Sequence, residues 1–273
     1  MNMLTDEPTV SSRVHTMADG APERDRFDWV AVEAPLEIRI GPKPATVLMR
    51  TPGDDEELVR GFLFSEGIIA SADDIVSLGR PPNLTGPQQG NVMVVQLAGS
   101  RKGPTIDRNF YSSSSCGVCG KKTIAALEVK GAIATSRLTV ERSVLATLPD
   151  RLRAAQPTFA KTGGVHASGL FTPDGELLLV REDVGRHNAL DKLIGWALTA
   201  GKIPLSDYLL LVSGRVSYEI VQKAVSASLP LIAAVGAPSS LAVELAERFN
   251  LTLVGFLRPD TMNVYANAAR VVE

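Results

Sequence analysis

At 273 residues, with 45% hydrophobic and 21% charged content, the chain is long enough for one large or two small domains of an ordinary soluble globular protein. A net charge of −2 supplies no global field for nucleic acid or an anionic membrane surface. Two cysteines in so long a chain argue against a disulfide scaffold and suit a reducing cytoplasm, and no apolar run approaches the ~20 residues of a bilayer span.

Residues 1–25 are polar and aperiodic, with no apolar core between charged flanks as a secretory signal requires, and they predict a disordered tail. From Phe27 order sets in. Val30 and Val32, then Leu36, Ile38 and Ile40, alternate with the two-residue period of a strand. Gly41-Pro42 is a turn, and residues 45–49 predict the second strand of a hairpin. Pro52 and the acidic run Asp54, Asp55, Glu56 and Glu57 suit the first turn of a helix, where the dipole is positive. Leu58, Phe62 and Leu63 share one face of it, and Gly67 ends it. Residues 91–97 predict another strand. Residues 26–109 therefore read as a β-rich subdomain with one clear helix, and residues 110–273 as a larger unit.

Both cysteines fall in the stretch YSSSSCGVCGKKT at 111–123. Cys116 and Cys119 are set among serines and glycines and followed by Lys121 and Lys122. A thiol reacts as its thiolate, which nearby cations and a helix start favour. A zinc site needs about four ligands, and no second cysteine pair exists to complete one. A thioredoxin-like pair would sit in a strand–helix unit that the neighbouring residues do not supply. A phosphate loop fails because Lys122 stands where Ser or Thr is required. Inert buried thiols fit poorly with so polar a loop. What remains is a sulfur nucleophile or sulfur carrier.

Beyond the loop, residues 138–152 predict one helix. Leu170 and Phe171, the turn TPDG at 172–175, and residues 177–180 predict a second hairpin. The charged run REDVGRHN at 181–188 follows, before a helix whose Leu190, Leu193, Ile194, Ala197 and Leu198 form a buried stripe. This dense set of charged and polar groups lies between a strand end and a helix start, where open α/β sheets bind ligands; a local salt-bridge cluster of Glu182, Asp183 and Arg186 is the alternative reading. The remainder repeats strand, polar turn and helix twice and ends on a third strand and polar turn, which predicts a parallel or mixed sheet covered by helices. Two of its turns carry Ser and Gly just before a helix. Free N–H groups there favour phosphates, while Ser217 and Ser240 also serve as plain N-caps.

The segments RTPGDDEELVRGFLFSEG at 50–67, CGVCG at 116–120, TGGVH at 162–166, REDVGRHNALDK at 181–192, SGRVS at 213–217 and NVY at 263–265 occur together and in order. In this the chain resembles the FdhD-type formate dehydrogenase accessory sulfurtransferases from about Val32 to Val271. The resemblance implies an α/β (α+β) fold with a cytidine-deaminase-like mixed sheet and a smaller β-rich N-terminal subdomain. It implies a homodimer that accepts sulfur from a cysteine desulfurase as a persulfide on Cys116, with Cys119 assisting. It further implies delivery to the molybdenum of bis-molybdopterin guanine dinucleotide, on behalf of formate dehydrogenase. Phe256, Leu257, Arg258, Pro259, Asp260 and Thr261 would bind the guanine nucleotide part. Ser213, Gly214 and Arg215 match its pyrophosphate, since arginine presents a planar fork to phosphate. No zinc is implied: His166 is followed by Ala167 and Ser168, so the His-x-Glu of zinc deaminases is missing.

Overall fold

The computed structural model describes residues 7–99 and 133–273. An antiparallel ribbon comes first, β1 (Thr9–Ala18) and β2 (Ala21–Ala31), turned at Asp19-Gly20. A four-stranded sheet follows in the order β4-β3-β6-β5, from β3 (Ala34–Ile40), β4 (Lys43–Arg50), β5 (Ile75–Gly79) and β6 (Val92–Leu97). Helix α1 (Asp55–Ser65) lies between β4 and β5 in sequence. Its first turn holds Asp55, Glu56 and Glu57, and Gly67 beyond its end takes a φ of 71°, the left-handed conformation that glycine adopts without cost.

The second half begins with the short β7 (Val140–Glu141), α2 (Arg142–Ala154) and α3 (Pro157–Thr162). The hairpin β8 (His166–Phe171) and β9 (Leu177–Asp183) leads into α4 (Arg186–Thr199). Then come β10 (Leu209–Val212), α5 (Tyr218–Ser226), β11 (Leu231–Ala234), α6 (Ser240–Arg248), β12 (Thr252–Gly255) and β13 (Asn263–Ala266). The last strand, β14 (Val271–Val272), pairs with β7. The main sheet has the order β13-β12-β11-β10-β8-β9, with β10, β11 and β12 parallel and β8 and β13 antiparallel to their neighbours. Every residue of β10, β11 and β12 is buried, the signature of strands covered on both faces. One face carries the core formed with α4, α5 and α6, and α2 packs on the other. The chain is thus a mixed sheet covered by helices, joined to a smaller β-rich part.

The two parts meet where α1 crosses α4 at backbone contact. A Cβ on Gly61 would stand 1.8 Å from the Asp191 carbonyl oxygen, and one on Gly195 would stand 1.9 Å from that of Glu57. Beside this contact Asp191, which is 2% exposed, accepts from Lys223 Nζ at 2.8 and 2.9 Å and from Ser65 Oγ at 2.8 Å. One buried ion pair therefore joins α1, α4 and α5.

Four expectations change. Residues 9–31 form a ribbon where the sequence predicts a disordered tail over 1–25; cross-strand bonds of Arg13 and His15 to Asp25, and of Arg26 to Thr16, tie its strands. The predicted helix over 138–152 starts only at Arg142, because Val140 and Glu141 pair with β14. Helix α3 was not foreseen; at six residues it is too short for a periodicity, and Glu182 caps it from afar. The N-cap of α6 is Ser239, whose side chain accepts from Ala242 N, rather than Ser240. The predicted boundary at 109/110 lies outside the described residues.

Candidate functional site

Strand β9 runs antiparallel to β8, and β8 antiparallel to β10, so β9, β10, β11 and β12 all end on the same edge of the main sheet. That edge also receives the first residues of β8 and β13. Ligands of open α/β sheets bind at such edges. The turns leaving the strands are stitched side by side. Gly236 N donates to Gly214 O at 3.1 Å, Phe256 N to Gly236 O at 3.1 Å, and Ser239 N to Val216 O at 2.9 Å. The closeness explains Gly236: a Cβ there would lie 2.8 Å from Gly214 O.

A basic cluster sits on the α4 and α5 side of this edge. His166 opens β8, Arg186 and His187 open α4, Gly214 and Arg215 follow β10, and Ser217 and Glu219 open α5. A Cβ on Gly214 would lie 3.2 Å from His166 Nδ1, so the turn passes close against the imidazole. Burial lowers the His166 pKa, and the charges of Arg186 and Arg215 lower it further against the pull of Asp183. Burial likewise takes His187 down to about 4, helped by Lys223 and Arg186. Both imidazoles are therefore neutral at pH 7. His187 Nε2 stands 3.2 Å from Ser217 Oγ and 3.9 Å from Glu219 Oε2. Burial works to raise the Glu219 carboxyl, but bonds from Ser217 and from its own N–H hold it below the usual range.

The rest of the charged run is architecture, and it resolves the two readings left by the sequence. Asp183, fully buried, accepts from Thr51 N at 3.1 Å, Gly185 N at 2.8 Å and Asn188 Nδ2 at 2.9 Å, and pairs with Lys192 Nζ at 2.9 Å. Lys192 also donates to the Thr51 carbonyl at 2.9 Å. Arg181 forks onto Glu57 at 2.6 and 2.8 Å, and Glu182 accepts from Thr158 N and Phe159 N. Asp183 and Glu182 are thus spoken for elsewhere, and Arg186 is not their partner. Its Nε is buried with no hydrogen-bond partner, and among the described residues neither Arg186 nor Arg215 forms an ion pair.

The residues expected to hold a nucleotide all reach this edge, though not all with their side chains. Ser213 Oγ is occupied, accepting from Ala167 N at 2.9 Å. Arg215 is exposed. Phe256 has a φ of 51° and is 44% exposed. A bulky residue in the left-handed region is an outlier that needs surrounding structure to hold it, here the bond of its N–H to Gly236. Leu257 points into the core and is fully buried, so only its backbone faces the edge. Arg258 Nη1 donates to Val235 O at 2.9 Å and Leu257 O at 2.8 Å, which fixes the guanidinium against the neighbouring turn. Pro259, Asp260 and Thr261 are exposed, and Thr261 O accepts from Arg258 N at 2.8 Å. Cys116 and Cys119 lie outside the described residues. His166, Arg186 and His187 were not named individually as site residues from sequence, although Arg186 and His187 fall in the charged run 181–188 read there as lying at a ligand-binding position.

These features define an α/β protein whose sheet edge, rich in helix starts and arginines without carboxylate partners, suits an anionic ligand. No described helix is long and apolar enough to cross a membrane. Residues 31–272 match the model of the FdhD/NarQ family, and the chain belongs to that family. Among its relatives, the Sulfur carrier protein FdhD of Mycobacterium tuberculosis is 51% identical over 90% of this chain and 92% of its own. Those of Streptomyces coelicolor and Saccharolobus solfataricus are 51% and 45% identical, covering 96% and 89% of this chain and 95% and 91% of theirs. A crystal structure of a chain described as a formate dehydrogenase accessory protein from Desulfotalea psychrophila superposes with a TM-score of 0.77. It is 26% identical and covers 97% of this chain and 100% of its own.

Proposed function

We propose that this chain carries sulfur for the maturation of formate dehydrogenase. The observation that carries the reading is the near-complete, 51% identical match to relatives named as sulfur carriers. In the proposed cycle the Cys116 thiolate attacks the outer sulfur of a persulfide held by a cysteine desulfurase. A new S–S bond forms on Cys116, and the donor leaves as a thiolate. Lys121 and Lys122 favour the anionic sulfur that this attack needs. The acceptor is the molybdenum of bis-molybdopterin guanine dinucleotide, laid along the sheet edge as substrate. Its guanine end meets residues 256–261 and its pyrophosphate meets Arg215 and the turn at Ser213-Gly214. Cys119 assists release or return of the sulfur. The protein works as a homodimer in the cytoplasm.

The test is restoration of formate dehydrogenase activity in cells that lack their own accessory protein. Cys116→Ala abolishes restoration on this reading, and Cys119→Ala retains a substantial part. Full activity with Cys116→Ala would mean a chaperone that only escorts the cofactor. Complete loss with Cys119→Ala alone would mean dithiol redox chemistry instead.

A further inference from the structure

We infer that Arg186, together with His166, His187 and Arg215, forms a pocket for one phosphoryl oxyanion, separate from the loop after β12. The inference rests on the reading above only in assigning that oxyanion to an extended, nucleotide-bearing ligand.

The argument begins with a contrast among the sheltered cations. Arg50 is paired with Asp55, Arg181 with Glu57, Lys192 with Asp183 and Lys223 with Asp191. Arg186 has no such carboxylate, yet its Nε is buried without a partner. Arg50 Nη1 and Arg270 Nε are likewise buried without a partner, but Arg50 is paired with Asp55 and Arg270 donates to the Asn250 carbonyl through Nη1, whereas the Arg186 side chain has neither an ion pair nor a hydrogen bond among the described residues, and such a donor calls for a ligand. A second observation points the same way. Ser168 lies two residues along β8 from His166, on the same face of the sheet, and is 1% exposed with no partner for its Oγ. The Oγ of Ser168 is therefore a second unmet polar atom, on the face of β8 that carries His166.

The surroundings favour an oxyanion over other ligands. Helix α4 spans 14 residues, and its N-cap Gly185 has no side chain to satisfy the first N–H groups. His166, kept neutral by burial and by Arg186 and Arg215, retains one ring N–H to donate. The nearby carboxylate of Glu219 is turned to Ser217 and to its own N–H. A guanidinium fork, helix N–H groups and an imidazole donor together match the geometry of phosphate.

What Arg186 and His166 add is distinct in position from the loop after β12, while Arg215, after β10, lies between the two. Arg186 and His166 lie at the β8 end of the edge, and the order β12-β11-β10-β8 puts them three strands, roughly 14 Å, from the loop at Phe256. One extended ligand could occupy both.

The test uses the full chain and inorganic pyrophosphate, titrated calorimetrically at low ionic strength, with thermal melting in parallel. Wild type binds pyrophosphate, and its melting temperature rises with the ligand. Arg186→Gln weakens binding by at least about tenfold, the loss expected for one charge-assisted contact. Without ligand the variant melts no lower than wild type, since the removed Nε has no partner to lose. Arg186→Lys keeps the charge without the fork and falls between. Should Arg186→Gln fold poorly, Arg186→Lys carries the test by its smaller loss of pyrophosphate affinity. Equal pyrophosphate affinity in wild type and variants, or none in wild type, overturns the pocket. Sulfur loading of Cys116 by a desulfurase is measured on the same samples; its failure in wild type would sink the carrier reading and leave the pocket standing.

Discussion

Replacing His187 by Gln should remove a specific part of the acid sensitivity of the fold. The imidazole is 14% exposed, and burial, Lys223 and Arg186 bring its pKa from 6.5 to about 4. The depressed value means that the unfolded chain takes up the proton first. Stability owed to neutral His187 is therefore complete above pH 6.5 and is lost progressively down to about pH 4. A displacement of that size corresponds to about 3 kcal/mol, a large share of the ~5–15 kcal/mol typical of a domain. His166 shifts in the same direction and adds to the slope. Urea unfolding followed by circular dichroism, at pH values of about 7, 5 and 4, measures the effect. Wild type should lose about 2–3 kcal/mol more than His187→Gln across that range, after carboxylate titration common to both is subtracted. Parallel losses in the two proteins would refute the assignment of a buried, neutral imidazole.

Two further perturbations test how the parts are joined. Asp191→Ala leaves the Lys223 ammonium buried without its main partner and should cost about 3–5 kcal/mol in urea unfolding, whereas Asp191→Leu with Lys223→Met should recover most of it. Additive losses in the double variant would show that the pair is not coupled. Gly195→Ala places a Cβ against the Glu57 carbonyl and should cost about 3 kcal/mol; a neutral result would mean that α1 and α4 can separate freely.

The strand and helix rhythm of the second half was legible because its strands are short apolar runs and each helix carries a wide buried stripe, as at Leu190, Leu193, Ile194, Ala197 and Leu198. The sheet edge that forms the candidate site followed from that rhythm. What the sequence hid was which charges are committed. Asp183 is satisfied partly by Thr51, which is 132 residues away, and Lys223 reaches Ser65 across 158 residues. No local pattern reveals such partners, so the sequence does not separate Arg186 from the committed Glu182 and Asp183 beside it. Leu257 and Arg258 are adjacent in a loop, yet one is core and the other lies on the surface. The ribbon at Thr9–Ala31 was missed although its Asp19-Gly20 turn is a known hairpin signal, because ion pairs across the strands, rather than apolar alternation, line much of it.

The central claim is that one sulfur of this chain stores another. Intact mass spectrometry after incubation with a cysteine desulfurase and cysteine tests it most directly. The expected result is a gain of one sulfur atom, mapped to Cys116, absent from Cys116→Ala and present in Cys119→Ala. An unchanged mass, or sulfur found on Cys119 alone, would contradict the account.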